Sequence, residues 1–587
     1  MEMDSNTTMN STLSGDTEPF TAIDYVVFIS MLVASIITGL YHAFAGGGQK
    51  TTSSYLLADR SMNGFPIALS TAVSFLSAIT LLGIPSEIYT YGVQYWWTSF
   101  AFIIKMSITA VIFIPVYYGL GLISAYEYLH LRFGVIVRIA GTVLFILQTE
   151  FYMAIVIYAP ALAIQAVTDL PIYATILLSG AVCVIYTALG GIKGVIWADV
   201  FQFAVLFVSF VIVVVLGSIR TGGFDYVWEY NKQNGHLNFW WFSLDPTVRI
   251  TFWGSTIGAG FGGLTQYAVS QIAIQRFLTA KSIKHARRSL WYGIPCSWFM
   301  VTLVSISGLV MYAYYNNDET GRGEPNYTKS DQILIFFVSQ EFGKIPGIQG
   351  LFIAALYAGT ISTVTSGLNS LAAVTLVDIV KPWRRWRSSR VGEVVEYEET
   401  AEQDHLDTRL SKIYTVIYGG ITIGLSFVAT KLGTLIQMTN SILGPIGGPI
   451  VGVFSLGMLY KRANSGGAIA GLIVGSVVGI GLSVGSAIDS DLWILKISFM
   501  WYSMISCITT IIIGILTSEI IRLFSEKERN RQIDPLLLAP FLRPKSLNTL
   551  PSGGSFELDV KDEKNESEEN TNISEDVKRG KSDYKND

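Results

Sequence analysis

Charge is what this sequence has least of. Of its 587 residues, 14% are Asp, Glu, Lys or Arg, about half the share usual in a soluble domain. So low a share over so long a chain excludes a cytosolic enzyme, a disordered protein and a nucleic-acid binder. The formal net charge of −4 gives a polyanion nothing to bind. Cysteine is nearly as scarce. Cys183, Cys296 and Cys507 each lie inside an apolar run, which excludes a disulfide framework and any metal-ligand spacing. The five histidines (His42, His130, His236, His285 and His405) are scattered over different runs and loops. No constellation of His, Cys and carboxylate is present, so the chain is not expected to be an enzyme. A ring-forming filter motif is missing too, which argues against a channel.

What is present is apolar length. Apolar residues make up 51% of the chain and the mean hydropathy is +0.46. Gly (55) and Pro (17) are frequent for so apolar a chain, as they are in membrane helices. A span needs about 20 mostly apolar residues. Thirteen such runs are predicted, at 22–44, 66–90, 98–121, 139–165, 173–190, 195–219, 250–275, 290–315, 350–380, 412–431, 435–459, 466–487 and 494–521. The expected fold is an all-α polytopic membrane protein. The first 21 residues are polar and lack a basic stretch, so the first run reads as a retained helix. One set of loops carries nineteen Lys and Arg, among them Arg138 and Arg276, and the opposite set carries eight. The richer set is expected in the cytoplasm, which places the N-terminus outside and the C-terminus inside. The sequons at Asn6, Asn10 and Asn326 then fall outside, as glycosylation requires. Residues 1–21 are read as an extracellular segment, 22–525 as the membrane domain and 526–587 as a disordered cytoplasmic tail, open to cytosolic regulators. After Thr549 that tail holds 11 acidic and 6 basic residues and cannot bury a core.

Backbone can unwind in a membrane where protein buries it or where it lines a wet cavity, and transporters place such breaks at the midplane. Two runs look breakable. The second reads Ala72-Val-Ser-Phe-Leu-Ser-Ala-Ile-Thr80, small and hydroxyl-rich, with Gly83 and Pro85 following. The seventh reads Gly258-Ala-Gly-Phe-Gly-Gly-Leu-Thr-Gln-Tyr267, with four glycines in six residues. They are five runs apart, the spacing of two inverted five-helix halves. Close helix packing through small residues is the plainer reading of either one alone. In a third segment, Ala358 to Ser370, the residues Gly359, Ser362, Thr363 and Ser366 share one helical face. Neutral hydroxyl and carbonyl oxygens suit a hard monovalent cation, and the lack of a carboxylate cluster argues against calcium.

At these residues the chain resembles a known family, the sodium:solute symporters. The run Ala188-Leu-Gly-Gly-Ile-Lys-Gly-Val-Ile-Trp-Ala-Asp-Val-Phe-Gln202 is similar to that family's signature, as are Tyr55-Leu-Leu-Ala-Asp-Arg60 and Gln275-Arg-Phe-Leu-Thr-Ala-Lys281. Tyr158-Ala-Pro-Ala-Leu-Ala-Ile-Gln165 and Gly83-Ile-Pro-Ser-Glu87 resemble the branch of monocarboxylate, multivitamin and iodide transporters. The resemblance implies thirteen helices with an inverted five-helix repeat, a leucine-transporter-like fold. It implies a sodium site built from the carbonyls of Val73, Leu76 and Gly359 and the hydroxyls of Ser362 and Thr363, with Asp199 on the sodium exit path. It places substrate at Phe75, Ser77, Thr80, Phe102, Tyr152, Tyr267 and Asn440, although Phe75, Tyr152 and Tyr267 also fit ordinary core aromatics.

The implied function is sodium-coupled import of a small organic anion, such as a monocarboxylate, through the plasma membrane, with the lipid bilayer as surroundings and no nucleic-acid partner. Vitamin, iodide or sugar symport and nutrient sensing are the alternatives. Sugar is disfavoured because Phe75 and Thr80 stand where the sugar branch has Asn and His. The chain departs from its branch at Lys105 and Glu150, positions there usually uncharged. A charge near the bilayer centre costs roughly 2.5–3.5 kcal/mol, so these two, on consecutive helices, are expected to form an ion pair, either as a structural strut or with Lys105 attracting an anion or Glu150 supplying a cation or proton site.

Overall fold

The computed structural model describes residues 18–44, 52–168, 170–189, 192–316, 325, 327–391, 401–431, 433–486 and 492–544. Asn6, Asn10, Asn326 and the acidic stretch after Thr549 lie outside the described residues. Among those residues the secondary structure is helical apart from one isolated bridge between Met62 and Ala280. The principal helices are α1 (Ala22–Phe44), α2 (Gly64–Phe75), α3 (Ala78–Tyr91), α4 (Thr98–Ile108), α5 (Val135–Val167), α6 (Ile172–Leu189) and α7 (Ile192–Thr221). After a loop come α8 (Ala259–Tyr267), α9 (Gln271–Leu278), α10 (Ile283–Tyr315), α11 (Ile348–Val374), α12 (Ala401–Ala429), α13 (Leu435–Leu459), α14 (Ser465–Gly485) and α15 (Tyr502–Phe524).

Among the described residues, ten helical segments are long and apolar enough to cross a membrane, and the bent pair α2 and α3 makes an eleventh. The two remaining expected runs fall on the 18-residue α6 and on the broken stretch of α8 and α9. Burial grades the spans. Only 17% of the apolar window of α1 is buried, against 94% of that of α11. A helix so fully enclosed has no lipid face, so hydroxyl groups on it meet protein.

The start of α11 is held by another helix. Asp24 of α1 is buried, and its Oδ1 accepts from the amides of Gly347 (3.1 Å) and Gly350 (3.0 Å). These are first-turn N–H groups that a helix cannot satisfy itself. Gly350 permits the approach, since a Cβ there would lie 2.2 Å from the Asp24 carbonyl oxygen.

At the opposite end of the bundle, the tail is not structureless from 526. Residues through Pro544 continue as short turns against the domain. Tyr128 donates to the Leu537 carbonyl (3.1 Å) and the Ala539 amide to that of Met458 (2.9 Å). Arg132 gathers the carbonyls of Gly457, Tyr460 and Ala463, each at 3.0 Å, at the α13–α14 turn. Composition had marked this segment as unable to bury a core; backbone hydrogen bonds and Leu537 dock it instead.

Candidate functional site

The first break comes where the small, hydroxyl-bearing run was expected to yield. α2 ends at Leu76 (φ −94°, ψ 56°), Ser77 is extended (φ −71°, ψ 173°), and α3 sets off at 59° to α2. Ser and Thr side chains compete for backbone hydrogen bonds, which weakens the ladder there. Two carbonyls are released: among the described residues, those of Val73 and Leu76 accept no hydrogen bond.

The second break is displaced from its expected place. The glycine run is helical, first as a π-turn over Gly254–Gly258 and then as α8, and the chain opens afterwards at 268–270. Glycine lets neighbours approach there, while Ser270 ends the break by accepting from the Ile272 amide at the start of α9. Two of the freed carbonyls of this break have partners. Tyr117 donates to that of Ala268 (2.9 Å) and Tyr126 to that of Val269 (3.2 Å). At the first break no such tyrosine reaches the carbonyls of Val73 and Leu76 among the described residues.

α11 lies directly against that first break. A Cβ on Gly359 would stand 3.0 Å from the Leu76 carbonyl oxygen. Thr363 Oγ1 is 2.8 Å from both the Ser74 and Gly359 carbonyls, and Ser362 Oγ is 2.7 Å from Ser74 Oγ. Leu76, Gly359, Ser362 and Thr363 thus come together as buried neutral oxygens one turn from the Val73 carbonyl, with the Asp199 carboxylate reaching them at Ser362; such hydroxyl and carbonyl oxygens suit a monovalent cation better than a divalent one.

Below this cluster is a network that sequence reasoning missed. Arg276 of α9, counted as a loop cation, is 0% exposed. It donates to Ser70 Oγ (2.8 Å), Ser74 Oγ (2.5 Å), Asp199 Oδ2 (3.0 Å) and Ser366 Oγ, while Ser70 donates to the same Asp199 oxygen (2.6 Å). Asp199 is therefore joined to the oxygen cluster through Arg276 and the serines of α2 and α11. The available signal was the arginine's place within the matched stretch Gln275 to Lys281; its position at a span edge argued the other way. Arg138 is also buried, paired with Asp378.

A cavity of about 140 Å³ adjoins the break. Phe75, Leu76, Ser77, Thr80, Phe102, Tyr152 and Asn440 line it, together with Lys105 and Gln266. Tyr267 does not line it. Its ring stands behind, 4.7 Å from that of Phe75 and 6.3 Å from that of Phe102. The expected Lys105–Glu150 pair is not formed. Glu150 Oε2 accepts from Thr422 of α12 (2.8 Å) and its Oε1 has no partner among the described residues. Lys105 instead places Nζ 3.6 Å from the Phe102 ring centroid. The two side chains leave consecutive helices toward different neighbours, and consecutive order does not set that direction. Beyond the cavity, Glu87 and Arg249 form an ion pair (2.7 Å) beside the rings of Tyr91 and Phe499.

Comparison with known proteins gives the family. The profile of the Sodium:solute symporter family matches residues 55–475. The chain is 37% identical to the sodium-dependent multivitamin transporter of Oryctolagus cuniculus over 575 residues, covering 91% of this chain and 87% of that one. It is 39% identical to sodium-coupled monocarboxylate transporter 1 of Homo sapiens, over 80% of this chain and 74% of that one. Among solved structures, a substrate-bound, outward-open Na+-coupled sialic acid symporter aligns with a TM-score of 0.73 at 26% identity, over 85% of this chain and 98% of that one. All-helical, with a broken span at its centre, and matched over most of its length, this chain belongs to the sodium:solute symporter family.

Proposed function

We propose that the protein imports a small organic anion, such as a monocarboxylate, by sodium-coupled symport through the plasma membrane. The observation that carries this reading is the contiguity of the bare carbonyl of Leu76 with Gly359 and the hydroxyls of Ser362 and Thr363, beside a small cavity lined by Leu76 itself. An ion bound there would fix the α2–α3 break against α11 and so shape the cavity beside it. That is how a cation without cargo contact would favour one state of the carrier. Substrate would lie among Phe75, Ser77, Thr80, Phe102, Tyr152 and Asn440, backed by Tyr267. Asp199, tied to Arg276, would receive sodium on its way out. The relatives, named for monocarboxylates and vitamins, support a cargo of this size and charge.

The driving force is adequate. One charge crossing 100 mV yields about 2.3 kcal/mol, and a tenfold sodium gradient about 1.4 kcal/mol per ion. Two sodium ions with one monovalent anion would supply about 5 kcal/mol, over a thousandfold accumulation. The excess of Lys and Arg in one loop set supports an external N-terminus, with glycans on Asn6, Asn10 and Asn326 and the acidic tail facing cytosolic regulators. The test is tracer uptake of lactate, nicotinate, biotin, iodide and glucose with and without sodium. Sodium-dependent uptake of the carboxylates is expected. Sodium-dependent uptake of glucose alone, or of none of the five, contradicts the reading.

A further inference from the structure

Lys105 is the charge that the cation site leaves unexplained. It lies on α4, its side chain lines the cavity, and the residue is 8% exposed. Its Nζ is 3.6 Å from the Phe102 ring centroid and 5.1 Å from that of Tyr267. Among the described residues it makes no hydrogen bond and no ion pair. Glu150, the nearest acid in the sequence pattern, is turned to Thr422. The aromatic faces hold an ammonium in place, but they offer no acceptor for its three N–H bonds. A buried ammonium with unmet donors is unfavourable unless an anion joins it.

The neighbouring helix is shaped around this side chain. A Cβ on Gly263 of α8 would lie 2.0 Å from Lys105 Cδ and 3.1 Å from its Nζ. Any residue other than glycine there would displace the lysine stem. So the glycine run, which does not break its helix, makes room for a cation beside the cavity. The cavity's other walls are apolar or carry hydroxyl and amide groups, and its lining holds no acid. A volume of about 140 Å³ is more than one ion fills and less than a large cofactor needs.

We propose that Lys105 is the carboxylate-binding subsite of this cavity: its ammonium takes the carboxylate of the cargo, and the rings of Phe102 and Phe75 take the apolar body. This deepens the reading of the protein as an importer of small organic anions and rests on it. The subsite makes negative charge, and not size alone, the criterion for cargo. It also separates cargo from ion: the anion is held by α4 and the sodium by α2 and α11, with Leu76 common to both walls.

The experiment uses the full chain in cells, with surface abundance measured, and isosteric pairs of probes: nicotinate with nicotinamide, and lactate with lactamide. For the unaltered protein, the carboxylates are expected to be carried with sodium and their neutral amides to compete at least tenfold less well. Lys105→Met is expected to raise KM for the carboxylate about tenfold to a hundredfold, the range for a lost bond to a charged group, and to abolish discrimination against the amide. Gly263→Ala, which retains the amine but displaces its stem, is expected to raise KM in the same direction. If amide and carboxylate compete equally in the unaltered protein, the subsite is overturned whatever the variants do. An unchanged KM and unchanged discrimination in Lys105→Met overturn it as well. Sodium-dependent uptake of neither carboxylate overturns the importer reading and the subsite with it; sodium-dependent carboxylate uptake indifferent to Lys105 overturns the subsite alone.

Discussion

Arg276 and Asp199 show how a single buried residue can hold several helices. With Arg276 wholly enclosed and bonded to Asp199, Ser70, Ser74 and Ser366, removing either partner leaves the other charge buried and unmatched, at a cost of about 3–5 kcal/mol. Arg276→Gln is expected to lower the yield and the thermal midpoint of the detergent-purified protein. The double variant Arg276→Gln, Asp199→Asn should recover most of that stability without recovering transport. Asp331 makes a prediction about pH. It lies in a loop turn beyond the spans, accepts from the Leu435 amide at the start of α13 (3.0 Å), and burial pushes its carboxyl up to about 6. The folded state then holds this proton more tightly than the unfolded chain, whose carboxyl titrates near the ordinary value of 3.8. Stability from this group is greatest below that ordinary value and falls as pH rises to about 6. Asp331→Asn should remove that contribution to the slope, read as the thermal midpoint at pH 4.5 and pH 6.5.

Among the elements, the two broken spans differ in what lies against them: Tyr117 and Tyr126 cap the Ala268 and Val269 carbonyls of the second, while α11 lies against the first. Tyr117→Phe would leave the Ala268 carbonyl buried without a donor, an expected loss of about 1–3 kcal/mol in stability with little change in sodium dependence. Asp24→Ala should destabilise the start of α11 by about 1–2 kcal/mol, as loss of an N-cap does, although the cap comes from α1. The sequence made the first break legible, because Ser74, Ser77 and Ala78 are small, and the two serines polar, within an apolar run. It also displayed the oxygen face of α11 through helical spacing. The second break was legible only to within a few residues. Glycines there serve the close approach of Lys105 and other side chains, while the opening at 268–270 depends on tyrosines distant in sequence. The Lys105–Glu150 pair failed for a related reason: helix order says which residues are at similar depth, but not which way each side chain turns. The cavity positions carried over from the family were met by lining residues, save Tyr267, which stands one layer back.

At the scale of the whole molecule, ion pairs lie at both ends of the bundle with the cavity and the oxygen cluster between them. Glu87 and Arg249 join α3 to the loop before α8, while Arg138 joins Asp378 beyond the end of α11. A carrier must open one end at a time, so each pair is placed to hold an end shut. Arg249→Ala is expected to increase labelling of a cysteine introduced at Thr98 by a membrane-impermeant maleimide. Unchanged labelling would show that the pair does not restrict access. The central claim concerns what lies between those ends: a sodium ion held by the neutral oxygens of the α2–α3 break and α11 drives cargo accumulation. The most direct test is the sodium dependence of carboxylate uptake by the double variant Ser362→Ala, Thr363→Ala, at matched surface abundance. A half-activating sodium concentration raised at least tenfold, or loss of accumulation, is the predicted result; accumulation with an unaltered sodium curve would contradict the account.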